Sequence, residues 1–301
     1  MMRAVRRIDI KIGFACNNRC DFCVQGDKRK KFKPRPFDQI EADLREGREQ
    51  GALGVVITGG EPTLHPTLLP TARLARDLGY EVLQVQTNGR RFAYRDFCLQ
   101  LIDAGVTEFA PSLHGPTAKI HNDLTRAPGS FEQTVAGIRN LKKLGQQVIL
   151  NSVITSTNYE HLPALARLFV DLGVDQFQFA FVHIVGSAED NSAWLVPRKS
   201  DVMPYVYEGL SIGQAAGIPC FTEAIPFCLM SNFESCVAEQ LIPKTRIYDA
   251  EITIEDYTVE RRDRGKAKHD RCRLCRYDDV CEGPWREYPE LFGWDEMVPV
   301  P

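Results

Sequence analysis

The chain of 301 residues is long enough for two domains, or for one barrel with an appendage. Its hydrophobic fraction of 44% is ordinary for a globular protein, and its formal net charge of -3 gives no sign of nucleic-acid binding. No apolar run reaches the roughly 18 residues that cross a bilayer, so we expect a cytoplasmic protein that does not contact a membrane.

Strands and helices alternate through the first two thirds of the chain. The predicted strands cover residues 7–14, 54–60, 81–89, 108–115, 147–154 and 176–183. The predicted helices cover residues 37–50, 67–78, 92–104, 130–144, a segment that begins near residue 161, and 201–216. This alternation implies parallel pairing through right-handed crossovers. It fits a partial (β/α)6 TIM-type barrel and a doubly wound open sheet equally well.

Three segments between these elements are predicted to be loops. The basic, proline-broken stretch 28–37 is either a solvated surface, or a mobile lid or contact for an anionic substrate. A flexible loop is expected around Asp123 and Arg126, and another loop at 184–200.

Ten cysteines are many for such a protein, and the first group of them directly follows the first predicted strand. Cys16, Cys20 and Cys23 have the spacing C-x3-C-x2-C, which lets one short loop present three thiolates to one inorganic site. Three thiolates leave a position open on a cubane iron-sulfur cluster. A zinc knuckle is the alternative, but a closed zinc site needs a fourth Cys or His, and none lies nearby. A disulfide is disfavoured because no secretory signal precedes the motif.

A second motif gives the first one a specific meaning. Phe22 stands before the third cysteine, and ITGGEPTL follows at residues 57–64. This combination resembles the radical S-adenosylmethionine (SAM) superfamily. The resemblance implies a 4Fe-4S cluster on Cys16, Cys20 and Cys23 that binds the amino and carboxylate groups of SAM. It implies cleavage of SAM to a 5'-deoxyadenosyl radical, which abstracts hydrogen from a substrate. It also favours the partial barrel over the open sheet.

The resemblance also suggests which residues contact SAM. They are Phe22, Gly59, Gly60, Glu61, Thr87, Ser112, Val153 and Phe181. Phe22 is expected near the adenine, together with the backbone around Val153 and Phe181. The GGE segment is expected at the methionine amino group, since carbonyls and a carboxylate are suitable partners for an ammonium. Thr87 and Ser112 are candidates for the carboxylate and ribose, although strand-end turn chemistry would equally explain Thr87.

Two histidines at predicted strand ends are candidate general bases. Active sites of parallel α/β folds gather at the carboxyl ends of the strands, where His114 and His183 lie. Either histidine could instead have a purely structural role.

The second cysteine group lies near the carboxyl terminus of the sequence. Cys272, Cys275 and Cys281 form C-x2-C-x5-C, and Cys228 and Cys236 precede them. This region resembles the twitch half of the SPASM-type extension of radical SAM enzymes. The resemblance implies an auxiliary 4Fe-4S cluster, for which the assigned ligands are Cys228, Cys272, Cys275 and Cys281. Four thiolates saturate a cubane. A zinc ribbon is the alternative.

Cys236 is surplus to this second set of four ligands. It could replace Cys228 as a ligand, or be an inert buried thiol. A sharper hypothesis makes Cys236 a catalytic residue that donates a hydrogen atom to a substrate radical. Cys98 and Cys220 are expected to be unreactive core or surface cysteines.

A change of composition after Pro219 suggests a domain boundary near residue 217. Residues 1–217 are predicted to form the radical SAM partial barrel, and residues 218–301 the twitch-like domain and tail, with a small hairpin around 250–260 and no further strand-helix repeat. The basic run 261–271 is either a solvated hairpin or a binding edge for an acidic peptide, phosphate or reductase. The aromatic residues at 285–294 should pack the tail against the barrel.

These observations together predict a radical SAM enzyme that acts on a small molecule, sugar or peptide by oxidation, epimerisation or bond formation. The auxiliary cluster is the expected electron acceptor, and a flavodoxin- or ferredoxin-type protein the expected reductant. A peptide maturase is less expected because the barrel begins within ten residues of the start, but maturase and sugar or cofactor biosynthesis both stay open. The alternative class is a non-catalytic iron-sulfur carrier or a zinc-stabilised scaffold.

Overall fold

Nine strands form one sheet in the computed structural model, which describes residues 6–250 and 252–301. The strands are β1 Arg7–Lys11, β2 Gly54–Thr58, β3 Val82–Thr87, β4 Glu108–Pro111, β5 Gln147–Ile154, β6 Gln176–Phe181, β7 Cys220–Glu223, β8 Thr245–Tyr248 and β9 Thr253–Ile254. Their spatial order is β7-β6-β5-β4-β3-β2-β1-β8-β9. All pairs are parallel except β8 with β9.

The helices are short and mostly connect successive strands. They are α1 Lys28–Lys31, α2 Phe37–Glu49, α3 Leu68–Asp77, α4 Arg95–Asp103, α5 Ala118–Thr125, α6 Ser130–Lys143, α7 Leu162–Leu172, α8 Ser187–Asp190, α9 Ser192–Leu195, α10 Lys199–Ala215, α11 Tyr257–Glu260 and α12 Glu287–Phe292. A π-helix, Arg261–Gly265, continues α11. Within the described residues, every helix is too short or too polar to cross a bilayer.

The order of the first six strands distinguishes between the two folds that the alternation left open. In a doubly wound sheet the strand order reverses at a switch point, whereas β1 to β6 follow one another without reversal. Right-handed crossovers then place all the connecting helices on one face, which lets the sheet curl around the other. The predicted partial (β/α)6 TIM-type barrel is therefore confirmed, although β7 and β9 do not close the ring within the described residues.

The two faces of the sheet differ in character, as β1 illustrates. Ile8 and Ile10 are completely buried on the helix side, and burial of such a side chain stabilises the fold by about 2 kcal/mol. Arg7, Asp9 and Lys11 alternate with them and are half-buried on the inner face. β1 thus places polar side chains on the inner face of the curled sheet.

Residues 220–248 extend the sheet at both edges, which the sequence analysis did not anticipate. β7 pairs with β6, and β8 pairs in parallel with β1. β8 is buried along its whole length, so no alternation marks it, and β7 continues the strand-helix repeat beyond the point where the sequence analysis expected it to end. The hairpin predicted for residues 250–260 is wrong in its position: β8 and β9 form a hairpin earlier in the chain, residues 257–260 form α11, and Glu251 lies outside the described residues. The division near residue 217 stays a prediction.

All three predicted loops contain helices, and the tail packs as expected; α8 and α9 lie within the third loop, residues 184–200. α5 occupies part of the segment predicted as a flexible loop, and begins where the Thr117 side chain accepts a hydrogen bond from the backbone N–H of Ile120. α1 opens the basic segment 28–37, where Lys28 pairs with Asp249 at 2.7 Å. The tail residues Trp285 and Tyr288 are buried, which confirms that it packs against the barrel.

Candidate active site

A cavity of about 360 Å³ opens at the carboxyl ends of β1 to β5. Each of these strands, or the loop that follows it, contributes side chains or backbone. The predicted site residues that line the cavity are Cys16, Cys20, Phe22, Cys23, Gly59, Gly60, Thr87, Ser112, His114 and Val153. The structure thus brings the three clustered thiols together with most of the residues expected to contact SAM.

Gly59 and Gly60 allow the loop after β2 to lie against the loop after β1. The backbone N–H of Gly60 donates to the carbonyl of Gly13 at 2.8 Å. A Cβ at Gly59 would lie 2.1 Å from that carbonyl oxygen, and one at Gly60 would lie 2.3 Å from the carbonyl oxygen of Phe14. Gly59 also has a φ of 138°, which side chains rarely adopt. Only glycine therefore permits this close approach.

Glu61 lies behind the cavity wall and is only 2% exposed. Its Oε1 accepts hydrogen bonds from the backbone N–H of Thr63 at 3.0 Å and from the Thr87 hydroxyl at 2.5 Å. Its Oε2 accepts from the backbone N–H of Asn88 at 2.7 Å. Burial raises the pKa of Glu61, and these hydrogen bonds oppose that effect. The carboxylate joins the ends of β2 and β3, and its predicted contact with the amino group of SAM stays a prediction.

Two residues that the sequence analysis missed hold the cysteine loop in place. Arg90 donates from Nη1 to the carbonyl of Asn17 at 2.7 Å and to Oδ1 of Asn18 at 3.0 Å. Asn88 donates to Oδ1 of Asn17 at 2.6 Å. Both follow Thr87 in the turn after β3, where the sequence analysis weighed turn chemistry against a functional role but did not identify these contacts. The signal that could have identified Arg90 is its position shortly after a strand that ends at the cavity.

His114 is a buried, neutral hydrogen-bonding group of the cavity wall. Its Nδ1 accepts a hydrogen bond from the backbone N–H of Val153 at 3.1 Å. Burial, and then the neighbouring His121, lower the pKa of His114 well below its ordinary value. A neutral ring that accepts at Nδ1 carries its proton on Nε2. This geometry favours a role of His114 as a hydrogen-bond donor, through Nε2–H, over its predicted role as a general base. The edge of the ring meets Phe22, with 4.6 Å between centroids.

The inner face of the sheet adds further polar groups to the cavity, which the sequence analysis also missed. Asp9 and Lys11 of β1 and Gln86 of β3 line it. Asp9 accepts hydrogen bonds from Lys11 at 3.2 Å and from the hydroxyl of Thr58 at 2.7 Å. The alternation of charged and apolar residues along β1 was visible in the sequence, but nothing identified the face that would meet a ligand.

Phe181 and His183 do not line this cavity. The Phe181 side chain points to the helix side, 5.4 Å from the ring of Tyr288, and its carbonyl accepts from the indole N–H of Trp285. The ring of His183 stacks on Trp285 at 3.8 Å. Burial, followed by the charge of Lys266, lowers the pKa of His183 to about 4. The functional roles of Phe181 and His183 stay predictions.

The second cysteine group surrounds a small, apolar cavity beneath the tail. Four thiols line it, those of Cys228, Cys272, Cys275 and Cys281. Burial raises the pKa of Cys228 to about 12, with the other three thiols adding to the effect. Cys236 does not line this cavity or the first one. The four cysteines assigned to the auxiliary cluster are therefore neighbours, and Cys236 stands apart.

The donor sets of both cavities suit clusters. Among the described residues, no three His, Cys, Asp or Glu side chains are grouped tightly enough for one metal ion. In a cubane each thiolate binds a different iron atom, so its thiolates surround a space instead of converging on a point. Three thiols around the first cavity and four around the second have this arrangement.

Comparison with known proteins places these features in a family. The sequence model described as the Radical SAM superfamily matches residues 10–179. A probable GTP 3',8-cyclase of Metallosphaera sedula is 31% identical over 186 residues, which cover 61% of this chain and 58% of that protein. An AdoMet-dependent heme synthase of Oleidesulfovibrio alaskensis is 25% identical over 213 residues, covering 68% of this chain and 53% of that protein. The chain thus spans between half and three fifths of the length of these relatives.

A likeness in fold extends over the whole chain. The crystal structure of Streptococcus suis SuiB bound to S-adenosylmethionine superimposes with a TM-score of 0.70. The superposition covers 99% of this chain and 77% of SuiB, at 16% sequence identity. At this identity the likeness concerns the fold alone.

Proposed function

The chain belongs to the radical SAM superfamily, and we propose that it cleaves SAM reductively and abstracts hydrogen from a polar substrate. The observation that carries the proposal is the first cavity, where the thiols of Cys16, Cys20 and Cys23 face Gly59 and Gly60. A volume of about 360 Å³ lies within the range of small-molecule sites.

Three thiols on one loop fit a 4Fe-4S cluster with one iron left open for SAM. When bound, this cluster supplies the electron that cleaves SAM to a 5'-deoxyadenosyl radical. The surrounding residues bind and orient the cofactor. Phe22, supported by the edge of the His114 ring, packs against the adenine, while the carbonyls of the Gly59–Gly60 turn accept from the methionine ammonium. The Nε2–H of His114 donates to an acceptor on SAM.

The hydroxyls of Thr87 and Ser112 complete the cofactor contacts that we propose. Thr87 already donates to Glu61 and accepts from the backbone N–H of Gly89 at 3.0 Å, so its oxygen has one lone pair free for the SAM ribose or carboxylate. Ser112 faces the same cavity. Glu61 acts through Thr87 and is a positioning residue in this proposal.

The inner face of the sheet supports a polar substrate. Asp9, Lys11 and Gln86 offer a carboxylate, an ammonium and an amide on one side of the cavity. A sugar, another polar small molecule or a polar peptide side chain would match these groups better than an apolar substrate would. Burial depresses the pKa of His183, so any general base there would act as a weak one.

We further propose that the four thiols of residues 228–281 hold an auxiliary 4Fe-4S cluster. Four protein ligands leave such a cluster no open iron, which favours electron transfer over binding of substrate. Held by these four thiols, such a cluster would supply a one-electron acceptor, with which hydrogen abstraction from the substrate would amount to a net two-electron oxidation once a proton is also lost to solvent. A flavodoxin- or ferredoxin-type protein supplies the electron that starts each cycle.

Iron analysis after anaerobic reconstitution with iron and sulfide tests this assignment of the two sites. The wild type should hold about eight iron atoms per chain, since each cubane contains four. The Cys16/Cys20/Cys23→Ala variant and the Cys228/Cys272/Cys275/Cys281→Ala variant should each keep about four. Zinc in place of iron would favour the scaffold alternative. Full iron loading without SAM binding would favour the electron-carrier alternative.

A further inference from the structure

Three large apolar side chains lie exposed on the outer wall of the second cavity. Leu274, Val280 and Val298 are 77%, 49% and 64% exposed. Leu274 and Val280 directly precede the lining residues Cys275 and Cys281, and Val298 lies between two lining residues of the tail. A single exposed apolar side chain is normal, whereas several around one site, with polar groups at their border, mark a surface for a protein partner.

Two segments of the chain form this outer wall, and hydrogen bonds join them. The backbone N–H of Arg276 donates to the carbonyl of Val300 at 2.8 Å, and the N–H of Val300 donates to Sγ of Cys275 at 3.4 Å. The wall is thin, because Cys275 and the two lining cysteines beside it in the sequence, Cys272 and Cys281, are only half-buried. The four thiols of the second cavity therefore lie directly beneath the exposed apolar side chains.

The charge of the outer wall is locally positive. Residues 266–281 carry five basic and three acidic side chains, although the whole chain has a formal net charge of -3. Arg271, Arg273 and Arg276 are exposed beside Leu274 in the sequence. Arg273 lies 3.7 Å from the carboxylate of Asp270, and Arg276 lies 3.8 Å from that of Glu234. Ion pairs this exposed contribute little, so the guanidinium groups stay available to a partner.

We propose that the outer wall docks a small acidic protein that carries single electrons. The inference rests on the proposed auxiliary cluster and names the partner that receives its electron. A cluster with four protein ligands has no iron open to a substrate, so an electron that reaches it must leave to another redox centre. One electron passes to the oxidised carrier, no bond forms or breaks and no proton moves.

The chemistry of the wall fits this partner. Electron-transfer proteins form small interfaces, which bury less than about 1,200 Å², so three apolar side chains can serve as the centre of one. Arginine is enriched in protein interfaces, and an acidic face on the carrier would complement the positive wall and speed its encounter.

Binding of an acidic plant-type 2Fe–2S ferredoxin, measured by isothermal titration calorimetry at about 0.05 M salt with both proteins oxidised, tests the proposal. The reconstituted wild type should bind it, and Leu274→Ser should raise Kd about tenfold. Arg271→Glu should raise Kd by a similar factor, and by less at about 0.3 M salt, because salt screens exposed charges. The matched controls are Leu53→Ser, an exposed leucine before β2, and Arg73→Glu on α3, which should each change Kd less than about twofold.

Two further measurements on the same proteins separate docking from folding and from cluster assembly. Iron content and formation of 5'-deoxyadenosine with dithionite should be equal in Leu274→Ser and the wild type, because Leu274 is outside the lining of both cavities. A wild type with eight irons that does not bind ferredoxin, or an equal Kd for Leu274→Ser and Leu53→Ser, would overturn the docking proposal alone. About four irons per wild-type chain would refute the auxiliary cluster and, with it, this exchange of electrons.

Two other outcomes would assign the partner or the wall differently and would also overturn the proposal. Binding that is lost in Lys31→Glu but kept in Leu274→Ser would move the docking site to the basic segment 28–37. Self-association of the wild type that Leu274→Ser abolishes, without any binding of ferredoxin, would assign the outer wall to a second copy of this chain.

Discussion

Replacing Glu61 by Gln perturbs the group that joins the carboxyl ends of β2 and β3. The side chain keeps its size but loses its charge, and one of its two oxygen atoms becomes an NH2 group. If the amide oxygen takes the place of Oε1, the bonds from Thr63 and Thr87 survive as neutral hydrogen bonds. The new NH2 group then faces the backbone N–H of Asn88 across 2.7 Å, where two donors oppose each other.

The expected cost follows from these contacts. A hydrogen bond to a charged group is worth roughly 1 kcal/mol more than a neutral one, and three such bonds are weakened. One buried donor, the N–H of Asn88, is left unsatisfied at about 1–3 kcal/mol. The free energy of unfolding should therefore fall by about 4–6 kcal/mol. Affinity for SAM should fall as well, because Thr87 loses its fixed orientation.

Thermal unfolding followed by circular dichroism measures the effect, with Glu49→Gln as the matched control on the exposed side of α2. The control should stay within about 0.5 kcal/mol of the wild type. Glu61→Gln should lower Tm by roughly 10 °C. A Tm of Glu61→Gln equal to that of the control would refute the account of Glu61 as an internal anchor.

Three further substitutions separate the roles assigned to single residues. Gly60→Ala should abolish SAM binding in equilibrium dialysis, because its Cβ would lie 2.3 Å from a backbone oxygen. Gly54→Ala, at the start of β2, should bind SAM normally, because its Cβ would make only ordinary contacts. Cys281→Ala should lower iron content by up to about four atoms, and Cys236→Ala should not change it; the opposite pattern would make Cys236 the ligand. Burial lowers the pKa of His121 to about 4, so its neutral form is favoured in the folded state and stability is lost as pH falls from about 6.5 towards 4. The free energy of unfolding of the wild type, measured in urea, should fall between pH 7.5 and 5, and His121→Asn should reduce that fall by roughly 2 kcal/mol. The same pH dependence in both proteins would contradict this.

Local patterns predicted the parts of the fold that depend on neighbouring residues. The six strands and the helices between them were visible as periodic segments, and the cysteine spacing indicated the first cavity. Strand β8 was invisible because it is buried along its whole length and pairs with the distant strand β1, and β7 was missed because it lies beyond the predicted end of the strand-helix repeat. Such pairing leaves no periodic signal in the sequence.

The site shows the same division between local and distant information. The glycines of the GGEP segment and the cysteines were predicted because their own types reveal their chemistry. Arg90, which holds the cysteine loop from the end of β3, was missed because its partners lie more than seventy positions away. Cys236 was left as a replacement ligand, an inert buried thiol or a hydrogen-atom donor, and the structure places it outside the lining of both cavities.

Formation of 5'-deoxyadenosine from SAM, with dithionite as the reductant, tests the central claim most directly. Three anaerobically reconstituted proteins are compared: the wild type, the Cys16/Cys20/Cys23→Ala variant and the Cys228/Cys272/Cys275/Cys281→Ala variant. The account predicts cleavage by the wild type and by the variant that lacks the second set of thiols, and none by the variant that lacks the first. Cleavage that survives loss of Cys16, Cys20 and Cys23, or its absence from iron-loaded wild type, would contradict the assignment of the first cavity.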